Sequence, residues 1–159
     1  MTALHFRPAR EADYPGIELL AQELHNLHAA ARPDFFEPVT QLYTPEDFQK
    51  LLRTEGTEAY VAVAPDGGIT AYAVLVFRET PSARGVRKRF FCNVDELCVA
   101  AGCRRQGVGH SFFAYLEDRA RLAGACSIEL TEWDFNRTAS AFYTDVGLTP
   151  RVHRLEKKL

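Results

Sequence analysis

Apolar positions recur along this chain with two periods, one helical and one alternating. From Glu11 to about Ala30, the residues Ile17, Leu20, Leu24, Leu27 and Ala31 fall near helical spacing and predict an amphipathic helix. Pro15 comes early enough to occupy its first turn, where a missing N–H costs little. Before it, Leu4-His5-Phe6-Arg7 predicts a short strand ending near Pro8. The segment Arg32-Pro33-Asp34-Phe35-Phe36-Glu37-Pro38 interrupts the helix with two prolines and two aromatics. A second helix is expected from Thr44-Pro45-Glu46-Asp47, with Thr44 as N-cap and Pro45 at the first helical position, ending near Arg53.

The pattern then turns β-rich. Ala59 to Ala64 and Ile69 to Phe77 are separated by Pro65-Asp66-Gly67-Gly68, which predicts an antiparallel hairpin. A polar connection from Pro81 to Lys88 leads to a strand over Arg89–Val99. A helix follows from about Val108 to Leu122, stopped by Gly124. Cys126–Leu130 predicts another strand, and Asn136 is placed to cap a helix running to about Asp145, with Gly147 closing it. Leu148–Leu155 is expected as a final strand. The order β-α-α-β-β-β-α-β-α-β, with no repeat or linker, predicts one α/β (α+β) domain spanning residues 1–159. Its mixed, mostly antiparallel sheet should be flanked by helices.

Composition narrows the function classes. The 159 residues are 47% hydrophobic and 25% charged, values of an ordinary globular domain. A net charge of −2 provides no electrostatic reason to expect nucleic-acid binding. No apolar run reaches the ~20 residues that span a bilayer. Met1-Thr2-Ala3-Leu4-His5-Phe6-Arg7 lacks the apolar stretch of an export signal, so a cytoplasmic protein is expected. Cys92, Cys98, Cys103 and Cys126 show neither zinc-ligand spacing nor a disulfide framework, and no metal is expected.

The chemistry concentrates in Arg104-Arg105-Gln106-Gly107-Val108-Gly109-His110, at a strand-to-helix junction. Glycines let main chain approach a ligand closely, and a helix start offers unpaired N–H groups and partial positive charge. This predicts a pyrophosphate site.

Two motifs in order make the chain resemble the GCN5-related N-acetyltransferase (GNAT) superfamily. The acetyl-CoA signature of that superfamily, [Gln/Arg]-x-x-Gly-x-[Gly/Ala], is matched by Arg104-x-x-Gly107-x-Gly109. It follows Val94-Asp95-Glu96-Leu97-Cys98-Val99 and precedes a helix. The second is Asn136-x-x-Ala139-x-x-Phe142-Tyr143-x-x-x-Gly147-Leu148. Cys103 and Ala101-Gly102 depart from the commoner residues just before the loop, which leaves the loop glycines intact.

The resemblance implies an acetyl-CoA-dependent N-acetyltransferase working by direct attack in a ternary complex. The amides of Arg105, Gln106, Gly107, Val108, Gly109 and His110 would receive the coenzyme A pyrophosphate, and Arg104 or Arg105 would add charge-assisted contacts. Main chain near Leu97 and Val99 would pair with the pantetheine arm as an added strand does. Asn136 would contact coenzyme A or simply cap its helix. Tyr143 holds the position of a general acid for the departing thiolate. Glu96 is the candidate base, because it should face away from Leu97 and Val99; Asp95 has the wrong parity unless a bulge intervenes.

His25 and His28, a turn apart, and Phe35, Phe36 and Trp133 are candidates for the acceptor side. Asp34, Glu37, Asp95, Glu96, Glu132 and Asp134 hint at a cationic amine. The acceptor is a small-molecule or peptide amine, and a homodimer is compatible with the superfamily. Two other readings remain open: a ping-pong enzyme with Cys98 or Cys103 as nucleophile, and a non-catalytic acyl-CoA sensor or interaction module on the same fold.

Overall fold

Strand alternation sorts the side chains onto two faces of one sheet, each covered by helices. In a computed structural model, described over residues 4–159, the strands are β1 (His5–Pro8), β2 (Thr57–Val63), β3 (Ile69–Glu79), β4 (Phe90–Val99) and β5 (Ile128–Leu130). The helices are α1 (Tyr14–Ala31), α2 (Pro45–Arg53), α3 (Val108–Leu122) and α4 (Arg137–Asp145). The leader reading at Met1-Thr2-Ala3 lies outside the described residues.

The sheet order is β1-β2-β3-β4-β5, antiparallel throughout except for the parallel β4–β5 pair. Tyr60, Ala62, Ala71, Ala73, Leu75, Cys92 and Val94 turn to one face, where Val108, Phe112, Leu116 and Ala120 of α3 cover them. Val61, Tyr72, Val74 and Cys98 turn to the other, under Ile17, Leu20 and Ala21 of α1 and Phe48 of α2. Burial of the larger of these apolar side chains, such as Leu75, Phe112, Leu116, Ile17 and Phe48, stabilises by about 1.5–3 kcal/mol each.

Local signals position the helices as expected. Asp47 N donates to Thr44 Oγ1 at 3.1 Å, and Thr44 N donates back to Asp47 Oδ2 at 3.2 Å, a closed capping box at α2. The β2–β3 turn closes through Gly67 N to Ala64 O at 2.9 Å and Gly68 N to Asp66 Oδ1 at 2.9 Å. At the β1–α1 junction, Arg7 grips Asp13 with two bonds of 2.7 and 2.8 Å.

The structure departs from simple alternation and from two of the expected strands. The pairing of β3 with β4 shifts between Leu75↔Val94 and Val74↔Glu96, so Asp95 is an extra residue, a β-bulge. The expected final strand does not form: residues 148–159 carry no regular structure, and Val152 and Leu155 are exposed. Pro150 cannot donate a ladder bond, and charged side chains fasten this segment instead. Arg151 pairs with Glu129 at 3.3 Å, Glu156 with Arg32 at 2.8 Å and Lys158 with Asp34 at 3.0 Å. The strand expected over Cys126–Leu130 is also shorter, and Cys126 is exposed.

Candidate active site

The site begins where two strands part. β4 and β5 pair only through Cys92↔Ile128, Asn93↔Glu129 and Val94↔Leu130. Beyond Val94, no strand among the described residues pairs with Asp95–Val99 on its β5 side, leaving main-chain groups along an open cleft.

Glu96 faces the α1–α2 side of this segment, opposite Leu97 and Val99, which pack toward α3. The Tyr43 hydroxyl donates to its Oε1, and the Tyr72 hydroxyl donates to its Oε2 at 2.6 Å. Each carboxylate oxygen keeps lone-pair capacity for a further proton or donor. Burial, followed by the Glu96 charge, pushes both phenols well above their ordinary range. Tyr43 and Tyr72 therefore stay protonated and act as donors. Asp95 lies on this side by alternation from Val94, and the bulge adds Glu96 to it; Asp95 is exposed, accepts from Asn93 Nδ2 at 2.5 Å and lies 3.4 Å from Arg78.

Downstream, Arg105 adopts φ +57° and Gly107 φ +81° at the N-cap of α3. No acceptor is seen for the amides of Arg105–Gly107 among the described residues. The first-turn amides Val108, Gly109 and His110 have no intrahelical partner by geometry. A Cβ on Gly107 would meet nothing within 4 Å, so this loop is open to a ligand. Such a run of free donors fits an anionic phosphate.

Arg104 is otherwise engaged. Its Nε donates to Val99 O at 2.9 Å and its guanidinium pairs with Glu23 of α1. It braces the loop against β4 and α1 and takes up acceptor capacity of the Val99 carbonyl. Arg105 has no such anchor among the described residues. Gln106 Nε2 bonds Gly102 O at 2.7 Å, and His110 Nε2 lies 2.7 Å from Asp145. The Asn136 side chain accepts from Ala139 N at 3.1 Å, which makes it the N-cap of α4.

α4 brings Tyr143 to the same region. Phe142 stacks edge-on to His110 and Phe113 of α3, with ring centroids 5.3 and 6.1 Å apart. Burial, with lesser effects of Glu132 and Cys98, pushes Tyr143 up to about 12. No hydrogen bond from its hydroxyl is seen among the described residues. Cys98 is buried, and burial pushes its thiol up to about 11, a neutral thiol at physiological pH.

The acceptor-side aromatics form one cluster. Phe35, Phe36 and Trp133 have centroids 5.0–5.3 Å apart, and His28 stacks on Phe36 at 5.4 Å and meets Phe135 at 5.8 Å. Burial lowers His28, while His25 Nε2 lies 2.7 Å from Glu37 O. Most of the carboxylates that hinted at a cationic acceptor are already engaged. Asp34 pairs with Arg32 and Lys158, Asp134 with Arg137, and Glu132 accepts from Ser140 at 3.0 Å. Sequence reasoning did not single out Tyr43 or Tyr72. Tyr72's alternation in β3 marks its face, but nothing local ties either tyrosine to Glu96. No group of three or more His, Cys, Asp or Glu able to hold a metal is found among the described residues, and no helix there is long and apolar enough to cross a membrane.

The model of the Acetyltransferase (GNAT) family matches residues 23–148. A mutant of the BH1408 protein from Bacillus halodurans has the same fold, with TM-score 0.94 and 28% identity over 98% of this chain and 99% of that one. The aminoglycoside antibiotic 6'-N-acetyltransferase AAC(6')-Ih from Acinetobacter baumannii superposes with TM-score 0.73 at 12% identity, over 99% of both chains. The aminoglycoside N-acetyltransferase AAC(6')-Iy, solved in complex with CoA, does so with TM-score 0.71 at 15% identity, over 98% of this chain and 100% of that one. No curated protein matches the chain. An open β4 edge, a donor-lined loop at the start of α3 and a family match spanning both lead to one statement: the chain belongs to the GNAT acetyltransferase family.

Proposed function

We propose that the protein transfers the acetyl group of acetyl-CoA to a primary amine by direct attack in a ternary complex. The observation that carries this reading is Glu96, seated on the part of β4 that β5 does not pair, with one phenol donating to each carboxylate oxygen. Glu96 takes a proton from the acceptor ammonium, directly or through a water, because an alkylammonium with pKa near ~10 cannot attack while charged. The freed amine attacks the thioester carbonyl. Tyr143, protonated at neutral pH, gives its proton to the sulfur as the C–S bond breaks, and the second proton shed by the attacking nitrogen restores the phenol.

The remaining residues bind and orient. Main chain from Leu97 to Val99 pairs with the pantetheine arm, and the amides of Arg105 through His110 hold the pyrophosphate, with Arg105 adding charge. Arg104 contributes by shaping the loop, and Asn136 by starting α4. The buried, neutral Cys98 thiol speaks against an acetyl-enzyme. Two structural relatives are named for acetylating aminoglycosides, which supports an amine acceptor of small-molecule or peptide origin. A cytoplasmic location and a homodimer complete the proposal, with neither nucleic acid nor membrane as partner.

The test is release of free thiol from acetyl-CoA across a panel of amines. Thiol release that depends on the amine is expected. Calorimetric coenzyme A binding without turnover of any amine would identify a binding module and overturn the reading.

A further inference from the structure

Glu18, Gln22 and His25 lie along one face of α1, four and three residues apart. Each bonds the main chain of the loop that returns to α2. Glu18 Oε1 accepts from Leu42 N at 2.7 Å and Oε2 from Tyr43 N at 2.9 Å. Gln22 Nε2 donates to Val39 O at 2.7 Å, and His25 Nε2 lies 2.7 Å from Glu37 O. One turn before Glu18, the Tyr14 hydroxyl donates to Tyr43 O at 2.8 Å and accepts from Gln41 Nε2 at 2.7 Å.

Both main-chain polar groups of Tyr43 are thus held by α1 side chains, and its hydroxyl is the group that meets Glu96 Oε1. The two donors to Glu96 differ in support. Tyr72 is buried within β3, where pairing on both sides fixes its backbone. Tyr43 lies outside helix and strand. An irregular segment acquires a defined position only through tertiary bonds, since each free residue gains roughly 1–2 kcal/mol of backbone entropy by loosening. A glutamate side chain has three rotatable bonds. With Tyr72 alone the carboxylate would be fixed at one oxygen and could swing about it.

We propose that Glu18 and Tyr14 are positioning residues for acyl transfer: they set the Tyr43 hydroxyl and, through it, the orientation of the Glu96 carboxylate. This inference rests on the reading of Glu96 as the base. It explains why a partly buried carboxylate on α1 has both oxygens committed to adjacent backbone amides. Glu18 touches no reacting atom; its effect passes through the loop.

The experiment uses the full chain and compares Glu18→Gln, Tyr14→Phe and Tyr43→Phe, singly and in pairs, with Glu96→Gln as reference. Glu96→Gln must collapse turnover; if it does not, the base assignment itself fails, separately from this inference. Glu18→Gln keeps size but can accept only one of the two amides well. Tyr14→Phe removes only the hydroxyl, with its bonds to Tyr43 O and Gln41, and preserves volume, so it remains informative if Glu18→Gln folds poorly. Each should lower kcat by about ten- to a hundredfold, the scale of a small misplacement of a catalytic group. The KM for acetyl-CoA should stay within about twofold. In the Tyr43→Phe background neither should cost further turnover, because the route to Glu96 is already cut. A loop-holding role alone would instead lower thermal stability and give losses that add to that of Tyr43→Phe. Additive losses, or unchanged kcat in Tyr14→Phe, would overturn the proposal.

Discussion

The ring of Phe142 lies against Gly109, so close that a Cβ built on the glycine would sit 3.1 Å from Phe142 Cε2. The two sequence motifs therefore meet in space, and the two loop glycines serve different ends. Gly107 is required for its left-handed backbone, Gly109 for the aromatic ring beside it. Gly107→Ala forces a side chain into a conformation costing roughly 1–2 kcal/mol, and should raise the KM for acetyl-CoA while sparing kcat. Gly109→Ala pushes on Phe142, whose neighbour on α4 is Tyr143, and should chiefly lower kcat. Adding Phe142→Leu should restore part of it. Steady-state kinetics on the three variants decide; identical KM effects from both glycines would contradict the separation.

Tyr143→Phe removes the proposed proton donor and should lower kcat by about 10²–10⁴-fold with little change in acetyl-CoA affinity. The pH dependence carries its own sign. An acid works while protonated, and burial has moved this phenol up to about 12. Turnover should therefore persist through the ordinary phenol value of about 10 and decline only toward about 12. A kcat profile that falls near 10 would remove Tyr143 from the role.

The Arg7–Asp13 pair predicts how the fold responds to acid. Asp13 is held below its ordinary value, first by the Arg7 guanidinium, and burial opposes this only in part. A carboxylate lowered in the folded state contributes stability that is present above its unfolded value of about 3.9 and lost as pH falls through the folded one. Urea midpoints should therefore drop below about pH 4, and the drop should be shallower in Asp13→Asn. Arg7→Met should cost about 2 kcal/mol near neutrality by leaving a partly buried carboxylate unpaired.

How much of this was legible depended on how local each signal was. Thr44 with Asp47, the Pro65–Gly68 turn and the Asn136 cap each lie within a few residues, and each closes as read. The orientation of Glu96 against Leu97 and Val99 also followed from alternation. The convergence of Tyr43 and Tyr72 on Glu96 did not, because it depends on strand register and on a loop fastened by α1. Nor does the local sequence show that Arg104 bonds Val99 O and pairs with Glu23. The strand expected over Leu148–Leu155 fails for a related reason: a pattern can suit a strand without supplying the neighbour that makes one. The segment after Gly147 met ion-pair partners instead.

The extra residue at Asp95 acts as a phase shift in the alternation of β4. Counted from Cys92 and Val94, an unbroken strand would carry Glu96 inward against α3 and turn Leu97 and Val99 toward the acceptor side. One inserted position reverses that order for the rest of the strand. Even-numbered positions of β4 thus face the α3 core before Asp95 and the Glu96 side after it, with the change made where β5 departs. Pairing without the bulge, with Asp95 in the place of Glu96 opposite Val74, would leave every side chain needed for the chemistry in the protein and turn the carboxylate to the wrong face of the sheet.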